Sequence, residues 1–446
     1  MGSVNSPGSR LGVWIIGARG SVATTVVVGA AAVAAGLVPP VGCVTEQPDF
    51  AEAGLTAVGD LVFGGFDITD VPLSKRVEQL VAAGVVPADL PGSLAAPIAA
   101  ADREIRPGQS AAAGPQAAQA EALADQLTDF RARHGLPRVV VVNLSSTAPQ
   151  PAPHPAFADL AALRAAMAGP EPVLPAHALY AYAALSAGCG YIDFTPSGAM
   201  LIPALDELAR EAGVPYTGND GKTGETLVKS ALAPMFAHRA LRVRSWSGTN
   251  LLGGGDGATL ADPLAAASKT ASKARALAGV FPYPVEGETH IDDVPALGEW
   301  KTAWDHIAFD GFLGVRMTMQ FTWQGCDSAL AAPLVIDLVR LLARAHELGA
   351  AGVQPQFAFF FKDPLGADEH RIVAQYEQLR TWAAGEAEGS AAQPPLAEGS
   401  EAGQAPSEAR ASTAQAPSAQ GPAADQPPSA ARALPTQAPS ALGAAT

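Results

Sequence analysis

Lysines stand in this chain where a charged side chain needs a reason. "SKTASK" (268–273) places Lys269 and Lys273 four residues apart, on one face of an expected helix. Two like charges at that spacing repel by about a few tenths of a kcal/mol unless an anion lies near them. "GEWKTAWDH" (298–306) adds Lys301, and "FFFKDP" (359–364) puts Lys362 directly after an apolar run. One such lysine is by default a solvated surface charge. Four in such settings point to a shared anion, either a phosphate or an oxygen that gains charge during a reaction.

A further lysine lies in "TGNDGKTGET" (217–226), where Gly221-Lys222-Thr223 looks like the end of a phosphate-binding P-loop. The spacing argues otherwise. A P-loop needs a glycine five positions before Gly221, and that position is Tyr216. The stretch joins an expected strand to an expected helix over 223–240, so the helix start could hold an anion. An ordinary turn built from Asn219, Asp220 and Gly221 accounts for it equally. In "GCDSALAAP" (325–333), Asp327 and Ser328 precede an apolar helix, the default place for an N-cap. Asp256 in "GGGDG" (253–257) is by default a turn residue.

A glycine turn supplies a different kind of site. "GVWIIGARGSVATT" (12–25) reads strand, turn, helix, the setting of a dinucleotide fingerprint. Gly17 takes its first place, Arg19 its second, Gly20 follows, and Ala23 falls just past the last. The missing second glycine would let the backbone approach a pyrophosphate. Asp67 ends the expected second strand, where a carboxylate could take ribose hydroxyls. It follows Gly17 by about fifty residues rather than the usual twenty or so, so 37–60 is an inserted excursion.

These groups need a scaffold, and the chain of 446 residues is long enough for two domains or one with an insertion. Short apolar runs at 12–17, 61–68, 139–144, 191–195 and 214–216 alternate with helical segments at 21 onward, 74–86, 176–188 and 202–213. Another helix ends near 134, after an Ala/Gln-rich patch at 111–124. Alternation of this kind indicates a doubly wound parallel sheet. After 240 the strands at 241–246, 289–294 and 312–322 have few helices between them, which suggests an antiparallel sheet. A long helix (328–348) and a final strand (357–361) return to the first sheet. The expected fold class is therefore α/β: a Rossmann-like doubly wound parallel sheet with an inserted α+β domain. The expected boundaries are 10–240, 241–326 and 327–385. The segment 386–446, dominated by Ala, Pro, Gln, Ser and Gly, is expected to be disordered because it has too little apolar surface to offset its ordering entropy.

The net charge of −15 argues against nucleic acid as the main partner. Cys43, Cys189 and Cys326 lie far apart with no C-x-x-C, which suits a reducing compartment and excludes a cysteine-rich zinc site. The apolar run 22–38 is short for a membrane span and reads as a buried helix. No membrane partner is expected.

Taken together, the blocks resemble the myo-inositol-1-phosphate synthase (inositol-3-phosphate synthase) family over about 12–382. "GNDGKTGETLVKS" (218–230) is similar to G-D-D-x-K-S-G-Q-T-x-x-K-S, and "SWSGTNLLGGGDG" (245–257) to S-Y-N-H-L-G-N-N-D-G with about three extra residues. "SKTASK" resembles S-K-x-x-S-K, and "VPALGEWKTAWDH" (294–306) resembles V-P-Y-V-G-D-S-K-x-A-M-D-E. "GCDSALAAPLVIDL" (325–338) is similar to C-E-D-S-L-L-A-A-P-I-I-D-L, and "FFFKDPL" (359–365) to Y-W-L-K-A-P-L.

The resemblance implies NAD-dependent cyclisation of glucose 6-phosphate by oxidation at C5, enolisation, an intramolecular aldol step and reduction. It implies that Lys269 relays the proton at the C5 hydroxyl, tuned by Asp220. Lys362 would stabilise the C5 or C1 oxyanion, and Lys301 would polarise the C1 aldehyde. Asp327 would orient Lys362 or a sugar hydroxyl. Lys273, Thr223 and Asn250 would hold the substrate and its phosphate. Gly17, Ala18, Gly20, Ser21, Asp67, Ile68, Ser145, Ser146, Thr147 and Asp256 would line the NAD site. It further implies a cytoplasmic homotetramer with the inserted sheet at the subunit contact, and leaves a divalent or monovalent cation open.

The chain also departs from the family pattern. The N-N before D-G is Gly254-Gly255, and "NLSSTAP" (143–149) replaces W-T-A-N-T-E-R with loss of an arginine. Another hexose or ketose 6-phosphate giving a different carbocycle therefore stands as an alternative substrate, and a plain NAD-dependent sugar-phosphate dehydrogenase as an alternative activity.

Overall fold

The computed structural model describes residues 10–108, 114–253 and 280–385. The expectation of a disordered 386–446 falls outside them. In chain order the elements are β1 (Leu11–Ile16), α1 (Ser21–Ala34), β2 (Leu61–Asp67), α2 (Leu73–Ala82), α3 (Leu90–Ser93), α4 (Ala95–Arg103) and β3 (Ile105–Pro107). Next come α5 (Gln116–His134), β4 (Arg138–Asn143), α6 (Leu160–Met167), α7 (Ala176–Ser186), β5 (Gly190–Asp193), α8 (Pro203–Glu211), β6 (Pro215–Gly218) and α9 (Gly224–His238). They are followed by β7 (Arg242–Leu252), β8 (Thr289–Asp293), β9 (Trp300–Asp310), β10 (Arg316–Cys326), α10 (Asp327–Glu347), β11 (Gly352–Val353) and α11 (Ile372–Ala383).

Seven strands form one parallel sheet in the order β11-β6-β5-β4-β1-β2-β3. The order reverses between β1 and β4, so the crevice beyond their carboxyl ends is the expected ligand site of such a sheet. Both faces are covered, which is why the strands read as unbroken apolar runs. Trp14, Ile16, Val139, Val141 and Tyr191 pack with α5, α7 and α8. Their neighbours Val13, Ile15, Val140, Val142 and Ile192 pack with α1 and α10 on the other face.

The excursion between α1 and β2 is held by polar groups that α10 buries. Asp337 accepts from the N–H groups of Val44 and Thr45 at 2.6 and 3.3 Å and from the Thr45 hydroxyl. Arg340 Nη1 lies 2.6 Å from Glu46 Oε1, and its Nε donates to Thr56 O at 2.6 Å.

The second sheet has the order β10-β9-β7-β8. β7 and β10 each pair antiparallel with β9, but β8, expected as part of an antiparallel sheet, runs parallel to β7. β9 was not readable as a strand, although its residues alternate between buried and outward-facing. Its buried face carries Lys301 and Asp305 beside Ala303, Ile307 and Phe309, so polar residues hide the apolar period. The expected final strand at 357–361 is instead a 3-10 turn, Pro355–Phe360. Phe357, Phe360 and Phe361 are all buried, and a strand would have sent adjacent rings to opposite faces.

α9 packs on the second sheet through Phe236, Trp246, Ile307 and Phe309. Beside that core lies a buried ion cluster. Lys229 Nζ is 2.5 Å from Glu225 Oε1 and 3.4 Å from Asp305 Oδ1, and Trp246 Nε1 donates to Asp305 at 2.8 Å. Burial, then repulsion from Glu225, pushes the Asp305 carboxyl up to about 6. At the end of β5, Asp193 is fully buried, accepting from Ala199 N at 2.8 Å and Asn143 Nδ2 at 3.3 Å. Burial pushes its carboxyl up to about 7, against the lowering effect of those hydrogen bonds.

Two stability predictions follow from these buried charges. Lys229→Met removes the cation that Glu225 and Asp305 share and is expected to cost about 3–5 kcal/mol in urea unfolding, less in acid where protonated carboxyls need no partner. Asp193 contributes stability that is present below its ordinary value of 3.8 and lost as pH rises through about 7. Asp193→Asn should therefore gain stability relative to the parent between about pH 4 and about pH 7, read by thermal unfolding. A parallel pH dependence in both proteins would contradict this.

Candidate active site

The glycine turn sits at the switch point. Gly17 has φ +81°, and a Cβ there would lie 2.9 Å from Leu144 O and Ser145 Cα, so only glycine fits. Its N–H and that of Ala18 donate to Phe66 O at 2.9 and 3.1 Å, locking the turn onto β2. Asp67 Oδ2 accepts from Arg19 N at 2.7 Å, and Oδ1 accepts from Thr69 N at 2.8 Å. α1 follows Gly20 as its N-cap, which offers no side-chain cap, so its first-turn N–H groups keep no side-chain partner beside the cavities that Gly20 and Ser21 line.

A cavity of about 1010 Å³ runs along this turn, lined by Gly17, Gly20, Asp67, Ile68, Ser145 and Ser146 among others. Ile68 is 80% exposed and forms its apolar rim. The expected cofactor residues Ser21 and Thr147 line a second cavity instead. Ala18 lines neither cavity; it is buried beneath the turn against Gly65. The glycine cradle, the strand-end carboxylate and the capless helix start fit a dinucleotide such as NAD.

The second cavity, about 530 Å³, adjoins the first and shares Gly20, Arg76, Leu144, Ser145 and Ser146 with it. Lys301, Lys362, Asp220, Asp327 and Thr223 all line it. Lys362 Nζ is 2.8 Å from Asp220 Oδ1. Lys301 Nζ is 3.2 Å from Asp327 Oδ2, whose Oδ1 accepts from Thr223 Oγ1 at 3.3 Å. Both lysines are 7% exposed and Asp220 is 4%. Asp327 therefore meets Lys301, whereas the resemblance had it orient Lys362 or a sugar hydroxyl. The N-cap of α10 is Cys326, and Asp327 is its first helical residue, which frees the carboxylate to point into the cavity.

Each side chain is placed by a specific local device. Lys362 leaves the 3-10 turn and its N–H donates to Asp220 O at 2.7 Å, so backbone and side chains pair in parallel. Asp220 itself has φ +61°, in the left-handed region that side chains avoid at a cost of about 1–3 kcal/mol. Lys301 is the second residue of β9, opposite Leu252 on β7 and Gly325 on β10.

The "GKT" triplet resolves residue by residue. A Cβ at Gly221 would lie 2.2 Å from the Phe194 ring. Lys222 lines neither cavity; it is buried, donates to Gln375 Oε1 on α11, and burial pushes its ammonium down to about 7. Gly221 and Thr223 line the second cavity, and of the triplet's side chains Thr223 is the one that faces it. Asn250 is fully buried on β7, and among the described residues its side-chain amide has no hydrogen-bond partner. Lys269, Lys273 and Asp256 lie outside the described residues. Glu299 is a cavity residue that the sequence reading passed over; it accepts from Ser21 Oγ at 2.8 Å and ties the second sheet to the start of α1. Its position two residues before Lys301 was the available signal. Among the described residues no cluster of three His, Cys, Asp or Glu side chains is arranged to hold a metal, and no helix is long and apolar enough to cross a membrane.

Comparisons with known proteins agree with this geometry. The family model described as myo-inositol-1-phosphate synthase matches residues 11–383. Inositol-3-phosphate synthase 1 of Bacteroides thetaiotaomicron is 32% identical over 392 residues, covering 81% of this chain and 91% of the relative. The Rattus norvegicus inositol-3-phosphate synthase 1 is 30% identical over 343 residues, covering 70% of this chain and 61% of its own. In fold, the chain is similar to the crystal structure of inositol-3-phosphate synthase from Caenorhabditis elegans, with a TM-score of 0.73, 20% identity and coverage of 84% and 85%. It is likewise similar to a myo-inositol-1-phosphate synthase-related protein from Thermotoga maritima, with a TM-score of 0.69, 24% identity and coverage of 84% and 98%. On the family match and the Bacteroides relative together, the chain belongs to the myo-inositol-1-phosphate synthase family, whose named members are enzymes.

Proposed function

We propose that this chain catalyses the NAD-dependent, redox-neutral cyclisation of glucose 6-phosphate to myo-inositol 1-phosphate. The observation that carries the reading is the pair of buried lysine–carboxylate contacts lining a cavity that adjoins the dinucleotide turn. NAD, when bound, supplies reversible hydride exchange at C5 of the sugar. Gly17, Gly20, Ser21, Asp67, Ile68, Ser145, Ser146 and Thr147 hold it.

The chain's own side chains do the rest. Lys362, fixed by Asp220, stabilises negative charge on the substrate oxygen as the C6 proton leaves and an enolate forms. Lys301, fixed by Asp327, polarises the C1 aldehyde so that C6 can attack it. Preorganised cations in a water-poor cavity are suited to such developing charge, because they do not have to reorganise as it forms. Thr223 holds a substrate oxygen; Asn250 lines neither cavity and is assigned to the substrate on resemblance alone. Asp256 is assigned to the cofactor, Lys273 to the phosphate and Lys269 to the C5 proton, on resemblance alone. The homotetramer, the cytoplasmic location and any cation belong to the same reading. Exposed Trp304 and Phe312, at 42% and 88%, give the second sheet and its β9–β10 turn the apolar surface a subunit contact would use. Cyclisation of another hexose or ketose 6-phosphate is the second reading, favoured by Gly254-Gly255 and by the lost arginine.

The test is incubation of the NAD⁺-loaded protein with a panel of hexose and ketose 6-phosphates, followed by phosphorus NMR of the product. A cyclic product from glucose 6-phosphate without accumulation of reduced nicotinamide is expected. Accumulating NADH would instead indicate a plain dehydrogenase, and turnover of another member of the panel alone would favour the second reading. Lys362→Ala should lower kcat by about a hundredfold to a thousandfold, the range for loss of one oxyanion-stabilising group, while NAD⁺ affinity measured by calorimetry stays unchanged. Near-parental kcat in that variant would remove Lys362 from the mechanism.

A further inference from the structure

We infer that Arg76 of α2 binds the pyrophosphate of the dinucleotide, in place of the backbone approach that the missing turn glycine would have allowed. The inference rests on the NAD reading above and concerns a residue that reading does not use.

The two cavities share Gly20, Arg76, Leu144, Ser145 and Ser146. A dinucleotide with its adenosine beside Asp67 and its nicotinamide toward Lys301 and Lys362 must carry its phosphates past these residues. Arg76 is the charged one among them. Its head is held at the turn itself, with Nε donating to Arg19 O at 2.8 Å and Nη1 to Gln79 Oε1 at 2.7 Å. A guanidinium has five N–H donors, so these two bonds leave three.

Arg19 stands where the fingerprint has a glycine, but its charge is already matched by Asp102 and it lines only the first cavity. Its Nη1 donates to Val71 O at 2.7 Å and lies 3.0 Å from Asp102 Oδ1. The turn already carries two carboxylates: Asp67, bonded to Arg19 N, and Glu299, bonded to Ser21 Oγ at the start of α1. A pyrophosphate adds two further negative charges. A helix start offers the equivalent of only about half a positive charge. Among the described residues that both cavities share, Arg76 is the full cation with planar donors to spare, and arginine matches phosphate geometry.

The test is calorimetric binding of NAD⁺, ADP-ribose and adenosine to the full chain and to Arg76→Gln, at low and high salt. The substitution should weaken NAD⁺ and ADP-ribose by about tenfold to a hundredfold, the usual range for a hydrogen bond to a charged group. Adenosine should be unaffected, the salt dependence should flatten, and Arg76→Lys should recover part of the loss. Unchanged NAD⁺ affinity in Arg76→Gln overturns the inference alone. Equal weakening of adenosine also overturns it, since Arg76 would then act only by bracing the turn through Arg19 O. Failure of the parent itself to bind NAD⁺ overturns the cofactor reading and this inference together.

Discussion

Two ammonium groups almost out of water, each against a carboxylate, set the terms for everything around them. A charge buried alone costs several kcal/mol, and a buried pair is tolerable only when geometry and hydrogen bonding are good. Lys362 and Asp220 meet because the segment after the 3-10 turn runs beside the β6–α9 loop, with backbone bonds on both sides of the contact. Lys301 and Asp327 meet because β9 begins where β10 ends: Lys301 lies opposite Gly325, and the chain passes into α10 two residues later. The second sheet is therefore not an appendage. It delivers Lys301, with Leu252 and Trp300, to the cavity wall, and α10 carries the chain back into the first sheet's core directly from there.

The same rule governs the layer beneath. α9 starts immediately after Thr223, so any displacement of α9 moves a cavity residue. Its one deeply buried lysine, Lys229, balances Glu225 within the helix and Asp305 from β9. The family pattern has glutamine where this chain has Glu225, so here, among the described residues, Lys229 faces two acids. Repulsion from Glu225 is one cause of the raised Asp305 carboxyl, after burial. The helix and the second sheet are joined by ions that only their mutual packing makes affordable.

What was legible in the sequence follows from this division. The parallel sheet was readable because strands buried on both faces show unbroken apolar runs, and α1 was readable from its first residue because a glycine turn announces it. The convergence of Lys301, Lys362, Asp220, Asp327 and Thr223 was readable only through the order of motif blocks, since no local pattern brings residues 220, 301, 327 and 362 together. The pairing within that set was not readable. Asp327 looked like a cap because a carboxylate before an apolar helix usually is one. It became a lysine partner because Cys326 took the cap position. β9 stayed hidden because its functional and ionic residues occupy the face where apolar ones would have marked a strand. The strand at 357–361 was misread for the opposite reason: adjacent aromatics suggest a strand, but they fill the core as a tight turn.

The lysine that resembled a P-loop residue shows how the fold sorts charges. In an extended segment successive side chains point to opposite sides. Thr223 is extended and faces the cavity, so Lys222 before it must turn inward toward α11. There it meets an amide oxygen and, among the described residues, no carboxylate, and burial pushes it down to about 7. It also depresses the half-buried His370 nearby, second to that residue's own burial. Lysines 301 and 362 have carboxylate partners and open into the cavity; Lys222 has neither and can shed its charge close to neutral pH. A triphosphate site would require the reverse, a lysine kept charged and aimed at the phosphates. The pairing of each cation with its acid, more than the local motif, decides which of these lysines is available for chemistry.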